Sequence, residues 1–86
     1  MISVAYTPKF VRQFKKLDDF LQKEVIEKFD LFIKNPNNPS LKIHRLHGKF
    51  DDCWAFSIDY RYRAIFKHLS RVEIIMIAIG DHDVYK

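Results

Sequence analysis

Apolar and polar positions alternate along the chain with two different periods, and the period changes near residue 41. Residues 2–6 alternate and are rich in β-forming side chains, which predicts a short first strand. Residues 7–34 repeat their apolar positions every three or four residues, as amphipathic helices do. Beyond residue 41 the period becomes two, which predicts strands.

The helical region divides into two helices. Thr7 and Pro8 suit the N-cap and the first position of the first helix, whose apolar face carries Phe10, Phe14 and Leu17. Asp18 and Asp19 interrupt this pattern and are predicted to cap a second helix. The second apolar stripe consists of Leu21, Val25, Phe29 and Phe32. The residue before a proline avoids the helical region, so the second helix is predicted to end at Asn35 and Pro36, where a loop over 35–40 begins.

Four strands are predicted in the second half, at residues 41–47, 54–60, 63–69 and 72–79. In the 54–60 strand, alternation assigns Trp54 and Tyr60 to the core together with Phe56 and Ile58. Ser70 and Arg71 form a tight connection, so the sequential strands are expected to pair as an antiparallel meander.

The predicted order is β-α-α-β-β-β-β, which indicates an α+β fold. Two N-terminal helices would pack on one face of a mainly antiparallel sheet. The other face, with Ser57, Asp59, Arg61 and Arg63, is expected to be more open. A length of 86 residues suits one domain spanning residues 1–86.

Composition narrows the function classes. The formal charge of +4 suggests an anionic partner, and the single cysteine excludes an internal disulfide. No stretch resembles a signal peptide or a membrane span, so a soluble cytoplasmic protein is expected. No metal or other cofactor is expected: His44 and His47 lie three apart on a predicted strand and so face opposite sides. Cys53, beside Trp54, is predicted to be a small buried hydrophobe.

The candidate chemistry lies in residues 80–86, which follow an apolar run at 74–79 predicted to be a buried central strand. His82 and His44 suit acid–base catalysis near neutral pH. Arg61 and Arg63 suit a phosphate, because a guanidinium donates two hydrogen bonds and keeps its charge. Tyr85 and Lys86 add a donor or a ring that stacks on a base. This combination fits RNA cleavage through the 2′-hydroxyl group of the RNA itself.

Three segments resemble the RelE/ParE toxin superfamily of type II toxin–antitoxin pairs. They are the Leu-His-Gly turn at 46–48, the Tyr-Arg-Tyr-Arg-Ala-Ile-Phe strand at 60–66 and the Ile-Gly-Asp-His-Asp-Val-Tyr segment at 79–85. The resemblance covers essentially the whole chain. RelE-like, YoeB-like and YafQ-like members are ribosome-dependent endoribonucleases, whereas ParE-like members poison DNA gyrase.

By position, the resemblance implies that Arg63 acts on the scissile phosphate and that His82 is an acid or base. It implies that Tyr85 acts on the RNA and that His44 is a further catalytic histidine. Where some members carry a second catalytic arginine, this chain has Ala78. The lysine pair of RelE has possible substitutes here in Lys42, Arg45 and Lys49. The residues expected to bind RNA are Arg61, Arg45, Lys42, Lys49, Lys86, Lys9, Arg12, Lys15 and Lys16, the last four as contacts to ribosomal RNA or simply as a solvated helix face.

The resemblance therefore implies a toxin that cleaves messenger RNA at the ribosomal A site and is neutralised by a cognate antitoxin protein. Two alternatives remain open from the sequence. One is a ParE-like gyrase inhibitor, which needs no proton-transfer residues, and the other is a non-toxic family member that retains the fold.

Overall fold

The computed structural model describes residues 2–81. Its strands are β1 (Ser3–Tyr6), β2 (His44–Arg45), β3 (Trp54–Ser57), β4 (Arg63–His68) and β5 (Glu73–Gly80). Its helices are α1 (Pro8–Lys15) and α2 (Asp19–Lys34), and short 3₁₀ turns occupy Pro39–Leu41 and Gly48–Phe50. This order confirms the predicted β-α-α-β-β-β-β arrangement. No helix in this part of the chain is long and apolar enough to cross a membrane.

The five strands form one sheet in the order β1-β5-β4-β3-β2. Strands β2 to β5 pair antiparallel with their sequence neighbours, which confirms the predicted meander. Strand β1 instead pairs parallel with β5. The apolar run at 74–79 thus lies between two strands, as its lack of polar residues indicated.

Both helices begin where their capping residues predict. Thr7 Oγ1 accepts a hydrogen bond from the Phe10 N–H at 3.0 Å, and Asp18 Oδ1 accepts one from the Leu21 N–H at 2.8 Å. These bonds satisfy amide groups that the first helical turn leaves unpaired. Helix α2 ends at Lys34, immediately before the Asn35–Pro36 pair.

The main core lies between the helices and one face of the sheet, here called the helix face. Its buried members are Phe10, Leu21, Val25, Phe32, Leu41, Phe56, Ile58, Ala64, Phe66, Ile74, Met76 and Ile79. Phe32 lies 4.9 Å from Phe56 and 5.0 Å from Phe66 between ring centroids, so α2 is joined to β3 and β4 by aromatic contacts. Burial of each such side chain stabilises the fold by about 2–3 kcal/mol.

The opposite face of the sheet, here called the far face, is covered at its centre and not open as predicted, whereas His44 and Lys67 at its margins are exposed. A second cluster lies here, in which Leu46, Cys53 and Phe50 of the preceding connection pack with Ala55, Ile65 and Ala78 of the strands, and Ile77 lies alongside. Ser57 on this face is only 7% exposed. The prediction was wrong because the 46–53 connection folds back over the sheet, fixed by a Leu46 N–H bond to the Cys53 carbonyl at 2.9 Å.

The predicted strand at 41–47 is also wrong for most of its length. Leu41 ends a 3₁₀ turn that Asn38 caps by accepting the Ser40 N–H at 2.9 Å. Lys42 then adopts a left-handed conformation, with φ 49° and ψ 45°. Only His44–Arg45 pairs with β3, because this turn interrupts the extended backbone.

The predicted strand at 54–60 ends at Ser57, so Tyr60 does not reach the core. Tyr60 is 88% exposed at the loop that joins β3 to β4, and its assignment to the core was wrong. The side chain of Asp59 accepts hydrogen bonds from the amide groups of Arg61 and Tyr62, so these two groups do not pair with a neighbouring strand. Trp54, at the other end of the strand, is half-buried and packs against the main core as predicted.

Candidate functional site

The loop between β3 and β4 is built on Asp59. Its Oδ1 atom accepts hydrogen bonds from the amide groups of Arg61 at 2.8 Å and Tyr62 at 2.7 Å. The Ile58 N–H donates to the Tyr62 carbonyl at 3.0 Å, which closes the turn. The loop therefore has a defined shape that fixes where β4 begins.

Arg63 is the first residue of β4 and lies on the far face, in register with Ser57 on β3 and Gly80 on β5. Its Nη1 atom donates to the carbonyl groups of Asp59 at 2.7 Å and Tyr62 at 3.1 Å. Within residues 2–81, its Nε and Nη2 groups donate to no other residue. The half-buried guanidinium is thus held by one nitrogen while its other N–H groups remain able to bind an anion.

Arg61 points outward, as predicted. Its Nη2 atom lies 3.9 Å from the Asp81 carboxylate, and its guanidinium lies 5.7 Å from the centroid of the Tyr62 ring. An exposed ion pair of this length contributes at most about 1 kcal/mol. Its importance is positional, because it joins the β3–β4 loop to the end of β5. His82, Tyr85 and Lys86 follow Asp81 in sequence and lie outside the described residues.

His44 lies on the same face as Arg63. It pairs with Ala55, and the register continues through Ile65 to Ala78, so these four residues form one row across the sheet. Strand spacing and rise put the Cα atoms of His44 and Arg63 roughly 12 Å apart. Among residues 2–81, the predicted catalytic residues therefore share a face without touching.

The imidazole of His44 is oriented by one hydrogen bond. Its Nδ1 atom lies 3.0 Å from the Lys42 carbonyl. A carbonyl oxygen only accepts hydrogen bonds, so Nδ1 must carry the proton in this contact. In the neutral ring Nε2 then has the free lone pair, which is the form that a general base requires.

Lys67 is a further cation on the far face that the sequence reasoning missed. It follows Ile65 by two positions on β4, so the alternation of that strand contained the signal. Burial raises the pKa of the Cys53 thiol; the charge of Lys67 lowers it and that of Asp52 raises it. Lys67 therefore lies close enough to Cys53 for its charge to influence the buried thiol on this face. Cys53 is buried there, as predicted.

Gln13 and Thr7 complete the exposed edge of β5 where β1 ends. The Thr7 N–H donates to the Met76 carbonyl at 3.0 Å, and Thr7 Oγ1 donates to the Ile77 carbonyl at 2.7 Å. Gln13 Oε1 accepts the Ile79 N–H at 2.8 Å. These side chains replace a neighbouring strand and fix the last residues of β5, from which the C-terminal segment leaves.

The remaining predicted RNA-binding residues do not form a single surface. Lys49 is exposed on the 3₁₀ turn beside Phe50, with its Nζ atom 5.4 Å from the ring centroid. Arg45 pairs with Trp54 and so faces the opposite side from His44, and its Nε donates to the Asp51 carbonyl at 3.4 Å. The four basic residues of the first helical segment are exposed in the helix layer, as Lys9, Arg12, Lys15 and Lys16.

Within residues 2–81, no three histidine, cysteine or carboxylate side chains come together in a group able to hold a metal ion. The chemistry available on the far face is that of a held guanidinium, an oriented imidazole and an ammonium group above a small apolar floor. Such a face can bind a phosphate and accept a proton.

Comparison with known families gives one match over almost the whole chain. The sequence profile described as "ParE toxin of type II toxin-antitoxin system, parDE" matches residues 4–84. No curated protein sequence matches the chain significantly.

Solved structures share the fold at low sequence identity. YafQ from E. coli strain BL21(DE3) superposes with a TM-score of 0.78 at 16% identity, over 99% of this chain and 98% of that one. The YoeB/ParE toxin from Agrobacterium tumefaciens gives 0.76 at 14% identity, over 94% and 99%. A chain of the heterotetrameric YoeB–YefM toxin–antitoxin complex from Staphylococcus aureus gives 0.74 at 14% identity, over 95% and 98%.

Proposed function

Since the chain belongs to the ParE toxin family of type II toxin–antitoxin systems, within the RelE/ParE superfamily, we propose that it is a toxin that cleaves messenger RNA on the ribosome. The reaction proposed is metal-independent. The 2′-oxygen of the RNA attacks the adjacent phosphorus, and the bond from phosphorus to the 5′-oxygen breaks. The products are a 2′,3′-cyclic phosphate and a 5′-hydroxyl group.

Arg63 carries this proposal. Its Nη1 is held by the Asp59 and Tyr62 carbonyls, so the guanidinium does not have to be ordered when the substrate binds. Its remaining N–H groups would donate to the phosphate oxygens, whose negative charge grows as the phosphorane forms. A positioned donor of this kind typically contributes about 10²–10³-fold in rate.

Two proton transfers complete the reaction. One group must take the 2′-hydroxyl proton and another must give a proton to the leaving 5′-oxygen. His44 is proposed as one of them, supported by the Nδ1 contact that leaves Nε2 as the acceptor. His82 is proposed as the other and Tyr85 as a group that acts on the RNA, both on the family resemblance. Lys67 would attract the RNA backbone at the far face, and Lys49 and Lys86 are proposed to do the same. Lys42 and Arg45 lie towards the helix face and would contact RNA away from the scissile phosphate. The basic residues of the first helical segment would contact ribosomal RNA.

A cognate antitoxin is the proposed protein partner. The YoeB fold-neighbour is in a complex with the antitoxin YefM, which supports an equivalent partner for this chain. An enzyme that acts on messenger RNA at the ribosome works in the cytoplasm, so that is the proposed location.

A gyrase poison is the second candidate, because the matching family is described by its ParE toxins. In that case the protein would act by binding alone, and the far-face residues would have no role in proton transfer. A family member without toxicity is a third possibility, in which the antitoxin-binding surface persists without either activity.

Induction in a bacterial host followed by 5′-end mapping of a translated message separates these functions. Under the ribonuclease proposal, wild-type protein arrests growth and produces cuts within the coding frame. The His82→Ala and Arg63→Ala proteins, expressed at equal levels, should not. Growth arrest with intact messages and DNA damage would overturn the proposal in favour of gyrase poisoning, and absence of arrest would favour the non-toxic member.

A further inference from the structure

A cavity of about 490 Å³ opens at the other end of the sheet from Arg63, on the helix face. It lies between the segment that follows α2 and the ends of β3, β4 and β5. The rings of Phe32, Trp54 and Phe66 are among its lining residues and form its aromatic wall. Phe32 and Phe66 are buried, so Trp54 is the ring that a ligand can reach. Its volume falls in the range of sites that hold small organic ligands, about 300–1,000 Å³.

The rim of this cavity is positively charged. Lys42, His68 and Arg71 line it together with the amide side chains of Asn37 and Asn38, and no aspartate or glutamate among residues 2–81 does. In residues 2–81 neither Lys42 nor Arg71 forms an ion pair. Two unpaired cations above an aromatic wall form a site for an anion that carries a flat ring.

Lys42 provides a second observation. It is the one non-glycine residue among 2–81 with a positive φ, 49°. A left-handed conformation costs a lysine roughly 1–2 kcal/mol, whereas glycine or asparagine adopts it readily. The conformation is held by the Lys42 N–H bond to the Pro39 carbonyl at 3.1 Å and by the contact of the Lys42 carbonyl with His44. Strained residues of this kind concentrate at ligand-binding sites.

The imidazole of His68 is fixed by the aromatic wall. It meets the Trp54 ring edge to face, with centroids 6.1 Å apart, and the Phe66 ring in the same way at 5.5 Å. A ring held by two such contacts presents its N–H group to a ligand with little loss of conformational entropy.

We propose that this cavity binds a nucleoside phosphate. The base packs against the aromatic wall, with Trp54 as the most accessible ring, and the phosphate accepts hydrogen bonds from Lys42, Arg71 and His68. Asn37 and Asn38 lie on the rim as donors and acceptors for the edge of the base. The same chemistry suits a free mononucleotide and a nucleotide of an RNA strand.

This site is separate from the proposed catalytic face. Strand β4 runs from Arg63 to His68, which amounts to about 16 Å at the usual rise per residue, and the two sites open on opposite faces of the sheet. Occupation of the cavity therefore leaves Arg63 and His44 accessible. The binding test does not depend on whether the protein cleaves RNA.

Trp54 is the only tryptophan of the chain, so intrinsic fluorescence reports directly on this cavity. Titration of the wild-type protein with adenosine 5′-monophosphate should change the Trp54 emission saturably. Adenosine and inorganic phosphate, each of which offers half of the recognised chemistry, should bind at least about tenfold more weakly. No saturable change at millimolar nucleotide would overturn the proposal, as would phosphate alone binding as tightly as the nucleotide.

The Lys42→Asn variant removes the charge at a position whose backbone conformation asparagine accepts, so it should keep or increase the melting temperature. Its affinity for the nucleotide should fall about tenfold or more. Lys23→Gln removes one charge from an exposed position on α2 and should bind as the wild type does. If both variants lose the same affinity for the nucleotide, the protein attracts it by overall charge and the proposed site is wrong.

A short 2′-O-methylated RNA, which the proposed reaction cannot cleave, distinguishes the two sources of the ligand. Tighter binding of this RNA than of the mononucleotide, with the same dependence on Lys42, identifies an RNA strand. Tighter binding of the mononucleotide identifies a free nucleotide.

Discussion

Gln13 on α1 accepts a hydrogen bond from the main-chain N–H of Ile79 on β5, at 2.8 Å and across 66 positions of the sequence. This contact satisfies an amide group for which β1 is too short to provide a partner. It also fixes the end of β5 only two residues before Asp81, whose carboxylate lies beside Arg61. A single glutamine thus connects the helix layer to the edge of the proposed catalytic face.

Replacement of Gln13 by methionine keeps the length of the side chain and removes the acceptor. A buried amide without a partner costs about 1–3 kcal/mol, so the free energy of unfolding should fall by that amount in urea titrations. Gln13→Glu retains an acceptor oxygen and should lose less. Equal losses in the two variants would mean that the bond to Ile79 contributes little.

Asp59 shapes the loop that holds Arg63. Asp59→Ala removes the acceptor for two amide groups and should lower the free energy of unfolding by about 1–3 kcal/mol. Because the Asp59 carbonyl holds the Arg63 guanidinium, RNA cleavage should also decrease. Asp59→Asn keeps the Oδ1 acceptor, so it should stay close to the wild type in both measurements. A fully active Asp59→Ala protein would show that the loop does not position Arg63.

Arg63→Ala should reduce cleavage of a translated reporter message by about 10²-fold, since it removes the charge proposed to stabilise the phosphorane. Arg61→Ala is the matched control, because it removes the same charge from an exposed position nearby, and it should lose much less activity. Primer extension measures both rates, and thermal melting shows whether each protein is folded. Similar losses in two folded variants would remove Arg63 from its catalytic role.

Cys53 makes stability depend on alkaline pH. Burial raises the pKa of its thiol in the folded protein, so the unfolded chain loses the proton first as the pH rises. The free energy of unfolding should therefore fall above the ordinary thiol pKa of about 8.5, by at most about 1.4 kcal/mol per pH unit, until the folded pKa is passed. The decline should be smaller in Cys53→Ala, whose difference from the wild type isolates the thiol contribution.

The two charges that act on Cys53 provide a second test by thiol alkylation at mildly alkaline pH. Lys67→Gln removes the group that lowers the pKa of Cys53 and should slow the reaction. Asp52→Asn removes a group that raises it and should accelerate the reaction. If both variants react at the wild-type rate, neither Lys67 nor Asp52 lies close enough to change the pKa of the Cys53 thiol.

The features that the sequence predicted correctly depend on short-range patterns. The caps at Thr7 and Asp18, the end of α2 and the apolar faces of both helices each depend on residues within a few positions of one another. Alternation failed at Tyr60, because the Asp59 side chain accepts hydrogen bonds from two nearby amide groups and so competes with the sheet. It failed again at residues 41–47, because nothing in the sequence indicates that Lys42 adopts a left-handed backbone conformation.

The candidate site was harder to predict because it depends on register. His44 and Arg63 share a face only through two successive strand pairings, and neither pairing can be counted from the sequence when strand ends are uncertain. The burial of the centre of the far face was also not predictable, because it depends on Phe50, at the end of a short 3₁₀ turn, packing back against the sheet. Gln13 had no local signal, since its partner lies at the far end of the chain.

The parallel pairing of β1 with β5 has a consequence for biosynthesis. Strand β1 precedes both helices in the chain, whereas its sheet partner β5 follows the other described strands and joins β1 to β4. The sheet therefore cannot close until residue 80 has emerged from the ribosome. Until then the nascent chain holds two helices without the central strand that they cover, a contact pattern of long sequence separation that folds slowly. Assembly of the Arg63 site is thus delayed until β5 has been made. Under the proposed function, this delay leaves an interval in which an antitoxin can meet the chain before it cleaves RNA.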